Sequence, residues 1–414
     1  MFNYTVSAGR YGIVILMHST SSKIQEDSPG TVRNSPEQLV AAAGLIADGA
    51  FDEAGRTDST DSFPVETLAK IAAGTFLTAP LPESEGGCGL GIEAGTNFEL
   101  LTVLKELGRG NLVAGRVYEG HLNALLLIHL YGGTKQKAAF AEDVRNGHLF
   151  GVWNTEAGDG VKVRPLGDGR FVLEGSKTFA TGIDYVTRPI VNGALPDGGW
   201  QTFVVPMDEV RTAVDKSWWD PMGMRATRSF KVDFTGVELS SENMIGNPPD
   251  YYRQPWFSGG AARFAAVQLG AAEALFDQTR DYLKMLKRTD DPYQRMRLGE
   301  MAILIESGNL WLRSAAGQMD DFMLSPSDEN AERFLAYVNM MRTAVEEICV
   351  KTIQLCQKTV GARGLNRPFH FERIIRDLMI YLCQPAPDAA LADAGKYVLE
   401  PDSKPARNLW KAKD

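Results

Sequence analysis

The sequence predicts an α+β protein in which a helical module, a β-rich module and a second helical module follow one another. Three observations carry this. Apolar residues recur at helical spacing before residue 145 and again after residue 249. Between these stretches the pattern changes to short runs of β-formers separated by turn residues. The α–β–α order, with a β-rich module between two helical modules, is the coarse architecture.

Residues 1–24 read as a flexible N-terminal tail or an extended start. The apolar run from Tyr11 to Met17 is too short to span a bilayer, which takes about 20 residues, and it lacks a basic leader segment. Residues 25–145 form the first helical module. Leu39, Ala42, Ala43 and Ile46 mark one helix, and Phe63-Pro64 opens another whose apolar face is Leu68, Ile71 and Ala72. A Gly-rich loop, PLPESEGGCGLG (80–91), interrupts before helices resume near Thr96 to Leu107 and Val117 to Leu130. Residues 146–248 form the β module, with strands expected at Leu149–Trp153, Arg170–Leu173, Tyr185–Val191, Thr202–Val205 and Phe230–Phe234. Gly167-Asp168-Gly169 between two runs signals a tight turn. Residues 249–414 form a helical bundle with three long stripes. The first runs from Phe264 through Val267, Ala271 and Leu275 to Tyr282 and Leu286, the second from Leu298 to Met319, the third from Phe334 to Leu355.

The chain has 414 residues, 44% apolar and 23% charged, with a formal net charge of −9. No long basic stripe occurs, so nucleic acid is not an expected partner. Length implies two or three packed subdomains. The four cysteines form no CxxC pair, and Cys349 and Cys356 lie about 10 Å apart along a helix, too far for a disulfide. Reduced thiols in a cytoplasmic protein are expected, and no metal site.

Six segments, in order, resemble the acyl-CoA dehydrogenase superfamily over residues 35–400. They are the 80–91 loop, residues 131–160 into the β module, GDGRFVLEGSKTFATG (167–182), DPMGMRATRSFKVDFTGVELSSENMIG (220–246), RLGEMAI (297–303) and GARGLNRPFHFERIIRDLMIY (361–381). The resemblance implies an N-terminal helical domain, a central β-barrel-like domain and a C-terminal four-helix bundle, a homodimer or homotetramer built through the bundle, and FAD held between β domain and bundle. It places Trp153 and Asn154 beside the flavin, Gly158 and Asp159 near the pyrophosphate, Phe179 over the ring and Thr181 as donor toward N5. Asp159 stands where the family has serine. Gly361 and Arg363 match the turn that reaches a neighbouring subunit's FAD, with Ala362 in place of its second glycine.

The family's catalytic base is a glutamate eight residues beyond an Arg-Asp pair, or one on the first bundle helix before an arginine. Counting from Arg376-Asp377, the first position is Pro385, and the second is Ala262 before Arg263. Neither takes a proton. The histidine of related flavin monooxygenases would stand at Gln384. Asp388, Asp393, Glu119 and His121 remain as candidates, with Asp388 equally readable as a helix cap and His121 as a satisfied helix histidine. The expectation is an FAD-dependent oxidoreductase acting on the CH–CH group of an acyl thioester with a relocated base, passing electrons to an electron-transfer flavoprotein or oxygen. The alternatives are a flavin monooxygenase on a non-CoA substrate and a flavoprotein without activity.

Overall fold

The computed structural model describes residues 5–8, 13–16, 34–400 and 404–411. Within the predicted tail, β1 (Thr5–Ala8) and β2 (Ile13–Leu16) pair antiparallel, and the rest of 1–24 lies outside the described residues. The first helical module comprises α1 (Pro36–Thr60), α2 (Val65–Ala73), α3 (Asn97–Gly110), α4 (Leu112–Tyr131) and α5 (Thr134–Arg145). Ser35 and Gln38 start α1 with a reciprocal capping box. At α2, Pro64 occupies the cap and offers no side-chain acceptor. The carboxylate of Glu53, reaching from α1, replaces it by accepting from the amides of Glu66 and Thr67, each at 2.8 Å.

The β module contains β3 (Leu149–Trp153), β4 (Lys162–Gly167), β5 (Arg170–Glu174), β6 (Ser176–Ala180), β7 (Val186–Ala194), β8 (Trp200–Val204), β9 (Ala213–Asp215), β10 (Phe230–Asp233), β11 (Val237–Ser240) and β12 (Met244–Ile245). One sheet runs β11-β5-β4-β7-β8-β12 with β3 parallel to β7, and a second runs β6-β10-β9. An isolated bridge between Gly160 and Ser176 links them. The turn at Gly167-Asp168-Gly169 joins β4 to β5 with all three residues at positive φ, as the hairpin twist requires. Val161, Val163, Leu173, Val232 and Phe234 fill the interior.

The bundle is α6 (Ala261–Met285), α7 (Pro292–Leu324), α8 (Asp328–Gly364), α9 (Phe371–Leu382) and α10 (Pro387–Val398). The three predicted stripes face inward, with Val267, Leu275, Met301, Leu312, Met341 and Cys349 at the bundle centre. Cys349 and Cys356 are free and buried. Asp388 is not the cap of α10. Ala386 takes that place in the left-handed region and Pro387 opens the helix, which leaves Asp388 exposed in the first turn. There it favours the positive end of the helix dipole.

Candidate functional site

The candidate residues of the β module converge on one region, and a buried salt bridge shapes it. Lys177 of β6 is fully buried. Its ammonium binds the Glu156 carboxylate, the carbonyl of Asn154 (3.2 Å) and Oδ1 of Asn192 (2.9 Å). The segment after β3 is thereby tied to both sheets. Asn154 enters this network through its carbonyl. Trp153 is buried, and its indole N–H donates to the carbonyl of Thr181 at 3.0 Å, so the ring fixes the end of β6 and its N–H is already used. Gly158 and Asp159 are exposed. Asp159 does not stand as a bare carboxylate: Lys231 Nζ lies 2.7 Å away and holds its pKa below the ordinary range.

Phe179 has φ +54°, uncommon for an aromatic residue. The cause is local. Phe230 pairs with Ala180 but Val232 pairs with Lys177, so two residues of β6 face one of β10. This bulge turns the Phe179 ring outward. It is 45% exposed and rests edge-on against Trp218 at 4.7 Å and Trp219 at 5.7 Å between ring centres.

Beside it, Thr181 Oγ1 lies 2.9 Å from Ser229 Oγ, which lies 2.8 Å from Thr227 Oγ1. Thr227 donates to the carbonyl of Met224 at 2.8 Å. A carbonyl only accepts, so the row has one direction: Ser229 donates to Thr227, and Thr181 donates to Ser229. Within this row Thr181 is the donor, and its oxygen keeps a lone pair for a further partner.

The Met224 amide donates to Asp377 Oδ1 at 2.5 Å. Asp377 is buried, and burial raises its pKa to about 6, against the opposing pull of Arg373. Arg376 binds Asp58, Glu372 and the carbonyl of Met222. Gly223 lies so close to α9 that a Cβ there would be 2.1 Å from the Arg376 carbonyl oxygen. The Arg-Asp pair thus clamps α9 to the loop that carries the hydroxyl row.

A second polar group lies where α4, α6 and α9 meet. Arg116 donates to one oxygen of Glu119, Asn123 donates to the other, and Arg263 Nε donates to Asn123 Oδ1. Arg116, Glu119 and Asn123 share one face of α4 at i, i+3 and i+7. Glu119 is 3% exposed, Arg263 4% and Tyr381 4%. The Tyr381 hydroxyl is buried without a partner. Its pKa stands well above the ordinary value, through burial first and the Glu119 charge second. Burial also lowers the Arg263 guanidinium to about 10, with Glu119 opposing, so it remains charged at neutral pH. The group borders β3, because a Cβ on Gly120 would stand 3.7 Å from Arg116 Nη1 and 3.9 Å from the Gly151 Cα. α4 also packs on the 225–227 turn of the hydroxyl row.

Other candidates fall elsewhere. His121 Nδ1 accepts from the Phe150 amide at 3.1 Å and its Nε2 faces the Leu77 carbonyl at 2.9 Å. It is a neutral structural histidine, pushed down to about 4 by burial. Gly361, at φ +60°, bends α8 near its end, and Arg363 is exposed there. Asp388 and Asp393 are exposed on α10, and Pro385 is exposed just before it, its carbonyl accepting from Arg342 at 3.2 Å. Ala262 is fully buried. A surface cleft of about 810 Å³ beside α5, lined by Gln136, Arg188 and Met244 among others, holds none of these residues. No group of three or more potential metal ligands occurs among the described residues. Nor is any of their helices long and apolar enough to cross a membrane. Arg116, Asn123, Arg263 and Tyr381 were not distinguished as site residues by sequence. The α4 face was the available signal, a polar row at i, i+3 and i+7 on a helix otherwise mostly apolar.

Residues 37–148 match the acyl-CoA dehydrogenase N-terminal domain and residues 253–383 the acyl-CoA dehydrogenase C-terminal domain. Among curated proteins, the chain is 24% identical to the probable acyl-CoA dehydrogenase YngJ of Bacillus subtilis, covering 78% of this chain and 87% of that one. It is 22% identical to the dibenzothiophene monooxygenase of Mycolicibacterium goodii, covering 83% and 89%. Among solved structures, FMN-bound TdsC from Paenibacillus sp. A11-2 superposes with a TM-score of 0.80 at 20% identity, covering 87% of this chain and 97% of that one. The two domain matches span more than half of the sequence and flank the two sheets in the expected order, and the chain belongs to the acyl-CoA dehydrogenase superfamily.

Proposed function

We propose that the chain is a flavin-dependent oxidoreductase of the monooxygenase kind, acting on a small non-CoA molecule. The carrying observation is that no free carboxylate stands at the two positions where a base is expected: these are Pro385 and Ala262. Of the buried carboxylates nearby, Glu119 has both oxygens occupied by Arg116 and Asn123, and Asp377 accepts from the Met224 amide. Relatives of both kinds accompany this reading, a probable acyl-CoA dehydrogenase and dibenzothiophene monooxygenases.

The residues of the β module fit a flavin. A bound flavin would supply two-electron redox chemistry and, when reduced, the activation of dioxygen. Phe179 would offer its ring, the Thr181 oxygen would accept from an N–H edge, and Lys231 beside Asp159 would face a phosphate. The Gly361–Gly364 turn and Arg363 would serve a cofactor bound across a subunit contact in a homodimer or homotetramer. The protein would work in the cytoplasm, with oxygen as electron acceptor.

Glu119 favours a second reading, in which it leaves Arg116 and serves as a relocated base for an acyl thioester. One experiment separates the readings. The purified protein is loaded with FMN or FAD and mixed anaerobically with acyl-CoAs of several chain lengths. In parallel, oxygen uptake is followed with a flavin reductase and NAD(P)H as its electron source. Oxygen uptake dependent on added substrate, without anaerobic bleaching, is expected. Anaerobic bleaching by an acyl-CoA overturns the monooxygenase reading, and failure to bind either flavin overturns both.

A further inference from the structure

The polar group between α4, α6 and α9 has features that packing alone does not explain. Arg263 uses only Nε, toward Asn123, and its two terminal nitrogens have no protein partner among the described residues. Neither terminal nitrogen is sealed off, so a ligand can reach both. Gly260 keeps the space beside them open, since a Cβ there would lie 3.1 Å from Nη2. The Tyr381 hydroxyl, also buried, is a second donor without an acceptor. Two guanidiniums oppose a single carboxylate, so the group carries an excess positive charge. Unused donors, positive charge and a neighbouring β3 edge together call for an anion.

We propose that Arg263, Tyr381 and Arg116 form a recognition site for an oxyanion of the substrate, a carboxylate or a group of like geometry. Two guanidinium nitrogens present the fork that such a group accepts, and the Tyr381 hydroxyl adds a third donor. Glu119 limits the strength of the site. It occupies Arg116 and lowers the net charge, so an anion would be held without being trapped. This assignment rests on the reading of the polar group between α4, α6 and α9 as the substrate side of a flavin site, which it deepens by naming the substrate as an acid.

The test is calorimetric titration of the full chain with benzoate and, as the neutral isostere, benzamide. Flavin affinity is measured separately on the same preparations by fluorescence quenching. Benzoate should bind at least about tenfold tighter than benzamide. Arg263→Gln should abolish that preference while flavin affinity is retained. Tyr381→Phe, which removes one hydroxyl, should weaken benzoate by about threefold. Glu119→Gln should strengthen it by about threefold, because a repelling charge is lost, a direction that general damage to the fold would not produce. Equal binding of the two probes, no saturable benzoate binding, or an unchanged preference in Arg263→Gln overturns the proposal. If Arg263→Gln does not fold, unchanged benzoate affinity in both Tyr381→Phe and Glu119→Gln overturns it. Arg263-dependent benzoate binding in a protein that takes no flavin would leave the anion site standing and remove the flavin reading.

Discussion

Asp377 makes stability depend on pH in an unusual direction. Its carboxyl is buried in α9, accepts the Met224 amide at 2.5 Å and lies 3.8 Å from Arg373. Burial outweighs both interactions, and the pKa rises from 3.8 to about 6. Between these values the folded protein holds a proton that the unfolded chain has released. Stability contributed by this group is therefore full below pH 3.8 and is lost as pH rises through 6. The displacement corresponds to about 3 kcal/mol. Asp377→Asn keeps an acceptor for Met224 and removes the titration. Urea unfolding of both proteins should show wild type losing about 2–3 kcal/mol relative to the variant between pH 4 and pH 7. Taking the difference cancels the surface carboxylates held low by partners, such as Asp61 beside Arg225, whose loss in acid runs the other way. A difference that is flat across this range, or that favours wild type as pH rises, would refute the argument and make the ionised Asp377 a stabilising partner of Arg373.

Three other outcomes follow from the packing. Glu53→Ala strips two amides at the start of α2, one buried and one part-buried, of their acceptor and should cost about 2–3 kcal/mol in urea unfolding, whereas Glu53→Gln should cost less. Gly223→Ala sets a methyl against the Arg376 carbonyl at 2.1 Å and the Asp377 amide at 2.6 Å, both backbone, and should cost about 1–3 kcal/mol with a matching fall in melting temperature. Met296, Ile303, Leu310 and Leu324 lie on one heptad row of α7 and are 62%, 69%, 59% and 75% exposed. A second copy should cover this row, so Ile303→Glu with Leu310→Glu should reduce the mass seen by light scattering, and a wild type that is monomeric at micromolar concentration would contradict it.

The helices and the main hairpin were legible because their signals are local. The stripe from Leu298 to Met319 needs only a helical period, and Gly167-Asp168-Gly169 needs only the conformations its turn demands. The cap of α10 was not legible. Asp388 before an Ala-rich run has the composition of a cap, but the preceding Pro387 already has the φ of a first helical residue and moves the start upstream. At the site, Phe179 and Thr181 were placed by resemblance, yet the bulge that turns Phe179 outward depends on its pairing with β10. The direction of the Thr181 hydroxyl likewise depends on Met224, over forty residues away in sequence. The polar group on α4 was half-visible, since Arg116, Glu119 and Asn123 share a helix face. Arg263 and Tyr381 join it only through tertiary packing.

The two base positions gain meaning from their neighbours. Ala262 directly precedes Arg263, and Pro385 follows Tyr381 by four residues, so the segments that would present a carboxylate instead present a guanidinium and a hydroxyl. A glutamate at position 262 would add a negative charge next to Arg263 in sequence, whereas position 385 is exposed beyond α9. With both absent, the guanidinium stays unpaired and the local charge is positive. A positive site whose carboxylate, Glu119, is already held by Arg116 and Asn123 is poorly suited to removing a proton from carbon. It is well suited to holding an anion still while chemistry occurs elsewhere on the molecule. The loss of the carboxylates and the unused donors of Arg263 are thus one observation, and both favour a substrate that brings its own negative charge.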